Sequence, residues 1–182
     1  MTSRTANCPS CGAQVEFKAG SSLVTVCPYC SSAVGRVGGD VGELEILGKV
    51  APLAAIGSPL HVGLSGTWKG RGFTLVGRLQ LDYGQGPWNE WYAAFDDGDW
   101  GWVAEAQGKV YLTFPRPNAK LPPYADWRVG VRFTFSTYTL VAVERRRARV
   151  VSAEGDLPTR VTPGATASPS RSVKPCSSPA TR

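Results

Sequence analysis

Four cysteines near the start of the chain are the residues whose type and spacing point most clearly to chemistry. They form two Cys-x-x-Cys pairs, Cys8 with Cys11 and Cys27 with Cys30, separated by fifteen residues. Two such pairs can place four thiolates at the corners of a tetrahedron, the arrangement that zinc prefers in structural sites. Because the protein fills all four positions, such a site orders the chain and leaves no position for catalysis. The spacing therefore predicts a structural zinc site.

Two other uses of the cysteines compete with zinc. Iron suits the same four-sulfur environment, as in rubredoxin-like sites, and we rank it second. The pair Cys27 and Cys30 also matches the dithiol of glutaredoxins, but the surrounding sequence lacks the βαβ pattern that such a redox motif needs. Disulfides are not expected, since the sequence shows neither a signal peptide nor an apolar run long enough to span a membrane, which predicts a cytoplasmic location.

The segments around the cysteines predict a small N-terminal unit. Between the two pairs, residues 14–17 and 22–26 are predicted as short strands, so that residues 1–34 form a zinc ribbon. Glycines punctuate residues 35–49, which are predicted to be a linker. At the other end, residues 158–182 are rich in Ser, Thr and Pro and are predicted to be disordered. Cys176 in that tail is interpreted as an incidental exposed thiol.

Residues 50–157 show the alternation of apolar and polar residues that predicts β-strands joined by tight turns. We therefore expect an all-β chain in which the ribbon is followed by an antiparallel β-meander, barrel-like or sandwich-like. The longest predicted strand runs from Phe73 to Tyr83, and Gly77 within it indicates a bulge or a bend. The apolar side chains predicted to share one side of this strand are Phe73, Leu75, Leu79, Leu81 and Tyr83.

The segment Trp88–Trp102 contains four of the six tryptophans and is predicted to be a β-hairpin. Asp97-Gly98 is typical of a two-residue type I′ turn. That turn would pair Phe95 with Trp100, and Trp91 with Ala104. One face of the hairpin would then carry the main core surface of the domain, formed by Trp91, Phe95, Trp100 and Trp102.

The opposite side of this hairpin would gather acidic residues, with Glu90 directly across from Glu105 and three aspartates at the tip. Like charges at paired positions destabilise a sheet unless a cation or a basic partner lies between them. The predicted ligand or partner surface therefore comprises Glu90, Glu105, Asp96, Asp97 and Asp99. The alternative for the three aspartates is a purely conformational role in the turn.

No catalytic constellation is evident in the sequence. The single histidine, His61, has no Ser or Asp motif around it, and a pair of glutamates alone is weak support for a hydrolase. We therefore predict a non-enzymatic binding or scaffolding module, an adaptor for a protein partner. The alternative is a binder of a small molecule, a glycan or a polyamine through the Trp-rich and acidic hairpin.

The net charge of +6 comes from the C-terminal third of the chain, where residues 115–182 carry twelve basic and four acidic residues. Arg145, Arg146, Arg147 and Arg149 lie in one short run. A run of this kind can bind RNA, DNA or anionic lipid, but it is also typical of a solvated turn beside an edge strand. Because no aromatic residues are interleaved with these arginines, nucleic acid is predicted to be an unlikely partner.

Several motifs of the β-rich region resemble those of the bacterial DUF4178 domain. They are Pro59–Gly66, Phe73–Arg78, the Trp88-Asn89-Glu90-Trp91-Tyr92 run, Asp97-Gly98, and Trp100-Gly101-Trp102. The resemblance covers roughly residues 50–157, and in that family a zinc ribbon often precedes the domain. It implies a β-rich fold and no established activity. After residues 154–158 the chain departs from the family pattern, which predicts a truncated or altered end of the domain.

Overall fold

The computed structural model describes residues 3–38, 42–106, 109–116, 122–135, 138–142 and 145–166. Over these ranges the chain consists of antiparallel β-strands and one short 3-10 turn at Tyr124–Asp126, which confirms the predicted all-β fold. The sheets do not close into a barrel. No helix within the described ranges is long and apolar enough to cross a membrane.

Thirteen strands are present in the described residues. In chain order they are β1 (Arg4–Asn7), β2 (Gln14–Phe17), β3 (Val24–Val26), β4 (Ser32–Arg36), β5 (Leu44–Lys49), β6 (Ser65–Trp68), β7 (Arg71–Asp82), β8 (Trp88–Phe95), β9 (Trp100–Ala106), β10 (Lys109–Thr113), β11 (Arg132–Phe135), β12 (Tyr138–Val141) and β13 (Arg149–Leu157). Two of them, β1 and β2, form a small hairpin of their own, and β11 and β12 form another.

The main sheet joins the cysteine region to the β-rich region. Its order is β10-β9-β8-β7-β13-β3-β4-β5, and β6 pairs with β7 beside this path. The last strand within the described residues, β13, is therefore central: it pairs with β7 on one side and with β3 on the other, through Asp156 to Thr25 and Leu157 to Val24. Strands β3, β4 and β5 extend one continuous sheet.

By its internal contacts the chain divides into two compact units. The first comprises Met1–Pro115 and Ala148–Thr166, and the second includes Arg116–Arg147. The segment predicted as a linker contains β5, which pairs with β4. The predicted domain boundaries at residues 34, 49 and 157 stay predictions.

The bulge predicted at Gly77 is confirmed. Leu75 pairs with Ala93 and Gly77 pairs with Tyr92, so Val76 is the extra residue in β7. A side chain at Gly77 would overlap the carbonyl oxygen of Asp156 in β13, which explains why glycine is needed there. Because the extra residue reverses the alternation, the predicted single row was wrong: Phe73 and Leu75 face one side of the sheet, Leu79 and Leu81 the other.

The tryptophan hairpin is present, but its predicted turn was wrong. The Phe95 N–H donates to the Asp99 carbonyl oxygen at 2.9 Å, and the Gly98 N–H donates to the Phe95 carbonyl oxygen at 3.1 Å. With Gly98 at a φ of 91°, these bonds define a three-residue loop that ends in a glycine bulge. Ala94 therefore pairs with Trp100, one residue away from the predicted partner.

The shifted register divides the aromatic residues between two faces, since side chains alternate along a strand. Trp91 and Phe95 are buried with Leu75 and Val103 on one face. On the other face Tyr92 is buried, and half-buried Trp100 and Trp102 pack against it with ring centroids 6.0 and 6.1 Å away. The predicted face of Trp91, Phe95, Trp100 and Trp102 does not exist.

Residues 158–166 of the predicted tail return along β13. The Val150 N–H donates to the Ala165 carbonyl oxygen at 2.9 Å, and the Gly164 N–H donates to the Val150 carbonyl oxygen at 3.1 Å. The rest of the predicted tail, with Cys176, lies outside the described residues.

In the second unit, β11 and β12 pair as an antiparallel hairpin. Trp127 is buried and stacks on Phe133 at 5.1 Å and on Tyr124 at 6.1 Å, between ring centroids. Trp127 is the buried ring of the three, and Tyr124 and Phe133 are half-buried beside it.

Candidate metal centre

The two cysteine pairs sit on turns that repeat one backbone pattern. In the first turn, Cys8 accepts a bond from the Gly12 N–H at 2.8 Å, and its own N–H donates to the Ala13 carbonyl oxygen at 2.8 Å. Gly12 has a φ of 77°, a left-handed conformation that glycine adopts without strain. This turn aims the side chains of Cys8 and Cys11 toward the same point.

The second turn has the same bonds with different residues. Cys27 accepts from the Ser31 N–H at 3.0 Å, and its N–H donates to the Ser32 carbonyl oxygen at 2.9 Å. Ser31 occupies the place of Gly12 and keeps a positive φ of 58°, which an ordinary side chain seldom adopts. Two equivalent turns thus present four sulfurs to one another.

The sulfur atoms lie at the spacing of a tetrahedral metal site. All four fall within 4.8 Å of one another, with 3.8 Å between Cys8 Sγ and Cys30 Sγ and 3.7 Å between Cys11 Sγ and Cys27 Sγ. Metal–sulfur bonds of about 2.3 Å in a tetrahedron place the sulfurs about 3.8 Å apart, whereas a disulfide needs about 2 Å. The four predicted ligands are therefore close enough to hold a metal ion.

Burial differs among the four cysteines. Cys8 and Cys27 are buried with Val15, Phe17 and Val34, whereas Cys30 is half-buried and Cys11 is exposed. The metal position would thus lie at the rim of the ribbon's own core.

The thiols also differ in how readily they lose a proton. The Ser32 hydroxyl, 3.3 Å from Cys30 Sγ, and the Ser32 backbone N–H lower the pKa of Cys30 to about 6. At Cys11 a hydrogen bond from the Ala13 N–H acts in the same direction, but desolvation and the other three thiols outweigh it and raise the pKa to about 12. Four thiolates this close repel one another, so a divalent cation is what allows all of them to be deprotonated together.

Most residues of the predicted acidic surface form hydrogen bonds or ion pairs with other residues of the same chain. At the hairpin tip, Arg71 binds two of the aspartates: its Nε lies 2.6 Å from Asp97 Oδ2, and its Nη2 lies 2.6 Å from Asp99 Oδ2. The Arg71 guanidinium holds the pKa of Asp97 below its ordinary value. Asp96 is anchored through its backbone N–H, which donates to the Gly72 carbonyl oxygen at 3.0 Å.

The two glutamates are not paired with each other, which corrects the prediction. Glu90 lies across from Ala104, so Glu90 and Glu105 face opposite sides of the sheet. Glu105 Oε2 accepts hydrogen bonds from the Ser58 hydroxyl at 2.5 Å and from the Trp91 Nε1 at 3.3 Å. Glu90 Oε1 accepts from Trp88 Nε1 at 3.3 Å.

A shallow cleft lies between the hairpin tip and the ribbon turn that precedes β3. It brings two of the predicted aspartates, Asp96 and Asp99, beside the ribbon. Its lining comprises Ala19, Gly20, Ser21, Ala94, Phe95, Asp96, Gly98 and Asp99. Nearby, the hydroxyls of Ser21 and Tyr92 share a hydrogen bond of 2.6 Å.

Asp156 lies where β13 pairs with β3 of the cysteine region, and the sequence did not predict its role. It is fully buried in β13, and its Oδ2 accepts from the Lys18 N–H and from the Ser22 hydroxyl, each at 2.6 Å. Desolvation by burial raises the pKa of its carboxyl, although these hydrogen bonds oppose that effect. The only signal in the sequence is an aspartate inside an otherwise strand-like run, and nothing there identifies its partners.

Comparison with known proteins bears on the β-rich region. A family model described as "Domain of unknown function (DUF4178)" matches residues 61–169, which is more than half of the chain. The matched segment begins after the cysteine cluster and extends beyond Leu157. Neither the curated proteins nor the solved structures include a match to this chain. The chain therefore belongs to the DUF4178 family.

Proposed function

We propose that the protein is a non-catalytic adaptor in which a metal-bound ribbon stiffens one end of a DUF4178 sheet that binds a protein partner. The observation that carries this proposal is the continuity of the sheet: β3 of the cysteine region pairs with β13, which in turn pairs with β7. A metal held by four cysteines would order that end of the sheet without adding a reactive position.

Zinc is the proposed metal, with iron ranked second. The spacing of the sulfurs suits a tetrahedral ion, and zinc is the common occupant of sites with four cysteines. Protein purified without added metal should contain about one zinc per chain, and Cys27→Ser should lower that content. Iron in its place, or no metal in a folded protein, would contradict the assignment.

The proposed location is the cytoplasm, where such thiols stay reduced.

The proposal of a non-catalytic function is supported by the contacts that the acidic residues make within the chain. Glu105 is hydrogen-bonded to Ser58 and Trp91, and Asp97 and Asp99 are bound by Arg71. Side chains committed to internal contacts are poorly placed to exchange protons with a substrate.

The proposed partner site is the outer edge of β10. This strand forms one end of the main sheet, and no other described strand pairs with its outer edge. On it Val110 is 64% exposed, far more than a valine inside a sheet. An extended segment of a partner could add there as a further strand, through main-chain hydrogen bonds and contact with Val110.

Affinity purification from the native host, with variants at both ends of the sheet, tests this proposal. Val110→Lys should abolish recovery of the partner. Ile46→Lys provides the matched control, because Ile46 is 49% exposed on β5 at the opposite end. Equal loss of the partner in both variants, or no loss in either, would contradict the assigned edge. The lack of any stoichiometric partner would contradict the adaptor function.

A second candidate is a binder of a small cation such as a polyamine, favoured by the cleft that Asp96 and Asp99 line. Arg71 already bonds to Asp99, so such a ligand would compete with it. Calorimetric titration with spermidine distinguishes the two functions. Saturable binding that Asp96→Asn weakens and Arg71→Gln strengthens would favour the cation binder, whereas the adaptor predicts no saturable heat.

A further inference from the structure

The positive charge of the protein is concentrated in the second compact unit. Residues 116–147 contain seven Lys or Arg and two Asp or Glu, which gives a net +5 out of +6 for the whole chain. The described arginines there are Arg116, Arg128, Arg132, Arg145, Arg146 and Arg147. This unit has the charge balance of a surface that attracts polyanions.

Two of these arginines are held in place by one aromatic ring. The Arg145 guanidinium carbon lies 4.7 Å from the centroid of the Tyr124 ring, and that of Arg147 lies 5.8 Å from it. The Tyr124 hydroxyl donates to the Arg146 carbonyl oxygen at 3.0 Å, which fixes the backbone between them. Contact with a ring orients a guanidinium and reduces the conformational entropy that is lost when it binds a ligand.

The same arginines remain available to an anion. Arg145 and Arg147 are exposed, and within the described parts of the unit neither forms an ion pair with a carboxylate. This is the reverse of Arg71, whose guanidinium is bound by two aspartates in the first unit. A guanidinium that rests on a ring and faces solvent can offer its N–H groups to a phosphate and its outer face to a base.

We propose that the surface formed by Tyr124 and residues 145–147 binds single-stranded nucleic acid. Nucleic acid was predicted to be an unlikely partner because no aromatic residue is interleaved with the arginines in the sequence. The fold supplies one, since Tyr124 lies 22 residues before Arg146 and still contacts the run. Cations together with a ring suit a chain of phosphates and bases better than an acidic peptide, which has no bases to stack.

Fluorescence anisotropy with a labelled oligouridylate of about 16 nucleotides tests this proposal on the metal-loaded full chain. The salt dependence is measured between about 50 and 200 mM. Arg145→Gln with Arg147→Gln should weaken binding about tenfold or more and reduce the slope of log affinity against log salt by about 1.4, since each lost phosphate contact contributes about 0.7.

The matched control is Lys69→Gln with Lys109→Gln, which removes the same charge from exposed positions in the first unit. It should change the affinity less than twofold. Tyr124→Leu should weaken binding without removing a charge, while Tyr124→Phe keeps the ring and should retain most of it. Circular dichroism verifies that each variant is folded.

Three results would overturn the proposal. One is the absence of saturable binding to the oligonucleotide by the folded wild-type protein. Another is equal weakening by the control pair and by the arginine pair, because the effect would then depend on net charge alone. The third is stronger binding to polyglutamate or to vesicles with an anionic lipid, which would assign the surface to an acidic protein or to a membrane.

Discussion

The buried cluster of the ribbon consists of Val15, Phe17 and Val34 with two of the cysteines themselves, whereas the hairpin buries Trp91, Tyr92 and Phe95 almost completely. An aromatic side chain buries about 150–250 Å², so three of them supply a larger core than the one phenylalanine and two valines of the ribbon. We therefore expect that metal–sulfur bonds order the ribbon, whereas packing orders the hairpin. The two regions nevertheless meet in one sheet through β13.

Of the changes that distinguish the two regions, loss of the metal should have the largest effect on their order. Structural zinc sites in small peptides contribute about 10–16 kcal/mol of binding free energy, which is coupled to folding. In Cys27→Ser or after chelation, the amides of β3 and β4 should lose protection in hydrogen exchange, while those of β8 stay protected. Cys176→Ser, the same substitution in the tail that the sequence predicts to be disordered, should change neither. Retained protection of β3 without metal would show that packing alone orders the ribbon.

Truncation of the hairpin aromatics should produce the next largest effect. Trp91 is 1% exposed and contacts the core with Leu75 and Phe95, so Trp91→Ala should lower the free energy of unfolding by about 3–5 kcal/mol. Trp100→Ala should cost clearly less, because Trp100 is half-buried on the other face. Urea denaturation measures both. Equal losses would contradict the division of the tryptophans between two faces.

The sequence predicted well what depends on neighbouring residues. The cysteine turns are local, since each pair and the residue that follows it determine the turn, and the four cysteines that the spacing grouped do lie close enough to hold a metal ion. The position of the hairpin was also predicted from its turn residues. Its register was not, because Asp-Asp-Gly fits both a two-residue and a three-residue loop, and a shift of one residue moves Trp100 to the opposite face.

Contacts between distant parts of the chain could not be predicted. Asp156 binds the Lys18 N–H from 138 residues away, and nothing in either segment indicates the other. Arg71 likewise meets Asp97 and Asp99 only because β7 and the hairpin tip are neighbours in the sheet. The acidic residues therefore resembled an uncompensated surface, although the fold provides their partners.

Substitution of Asp156 tests how the two regions are joined, through its effect on the pH dependence of stability. Burial raises the pKa of this carboxyl above its value in the unfolded chain, so the native state retains the proton more tightly. Stability from this group is then greatest at low pH and falls as the pH rises from the unfolded through the folded pKa. Asp156→Asn removes that loss and keeps an acceptor for Lys18 and Ser22.

Urea midpoints measured across acid and neutral pH check this expectation. The variant should gain stability relative to the wild type as the pH rises, and at neutral pH the two should differ by only about 1–2 kcal/mol, because the amide can keep the existing hydrogen bonds. Stability curves that run parallel at every pH would show that the carboxyl is ionised equally in both states.

Arg71→Gln should have the smallest effect, because it changes charge at an exposed tip and leaves the packed faces of the hairpin intact. The guanidinium lowers the pKa of Asp97, so its removal should return that pKa to the ordinary range, as a carboxyl titration by NMR would measure. A lowered pKa stabilises the native state above the unfolded pKa, and that contribution is lost as the pH falls through the folded pKa. Exposed ion pairs contribute little and are screened by salt, so the amide of Trp91 should stay protected in the variant. Loss of that protection would mean that charge at the tip, and not aromatic burial, orders the hairpin.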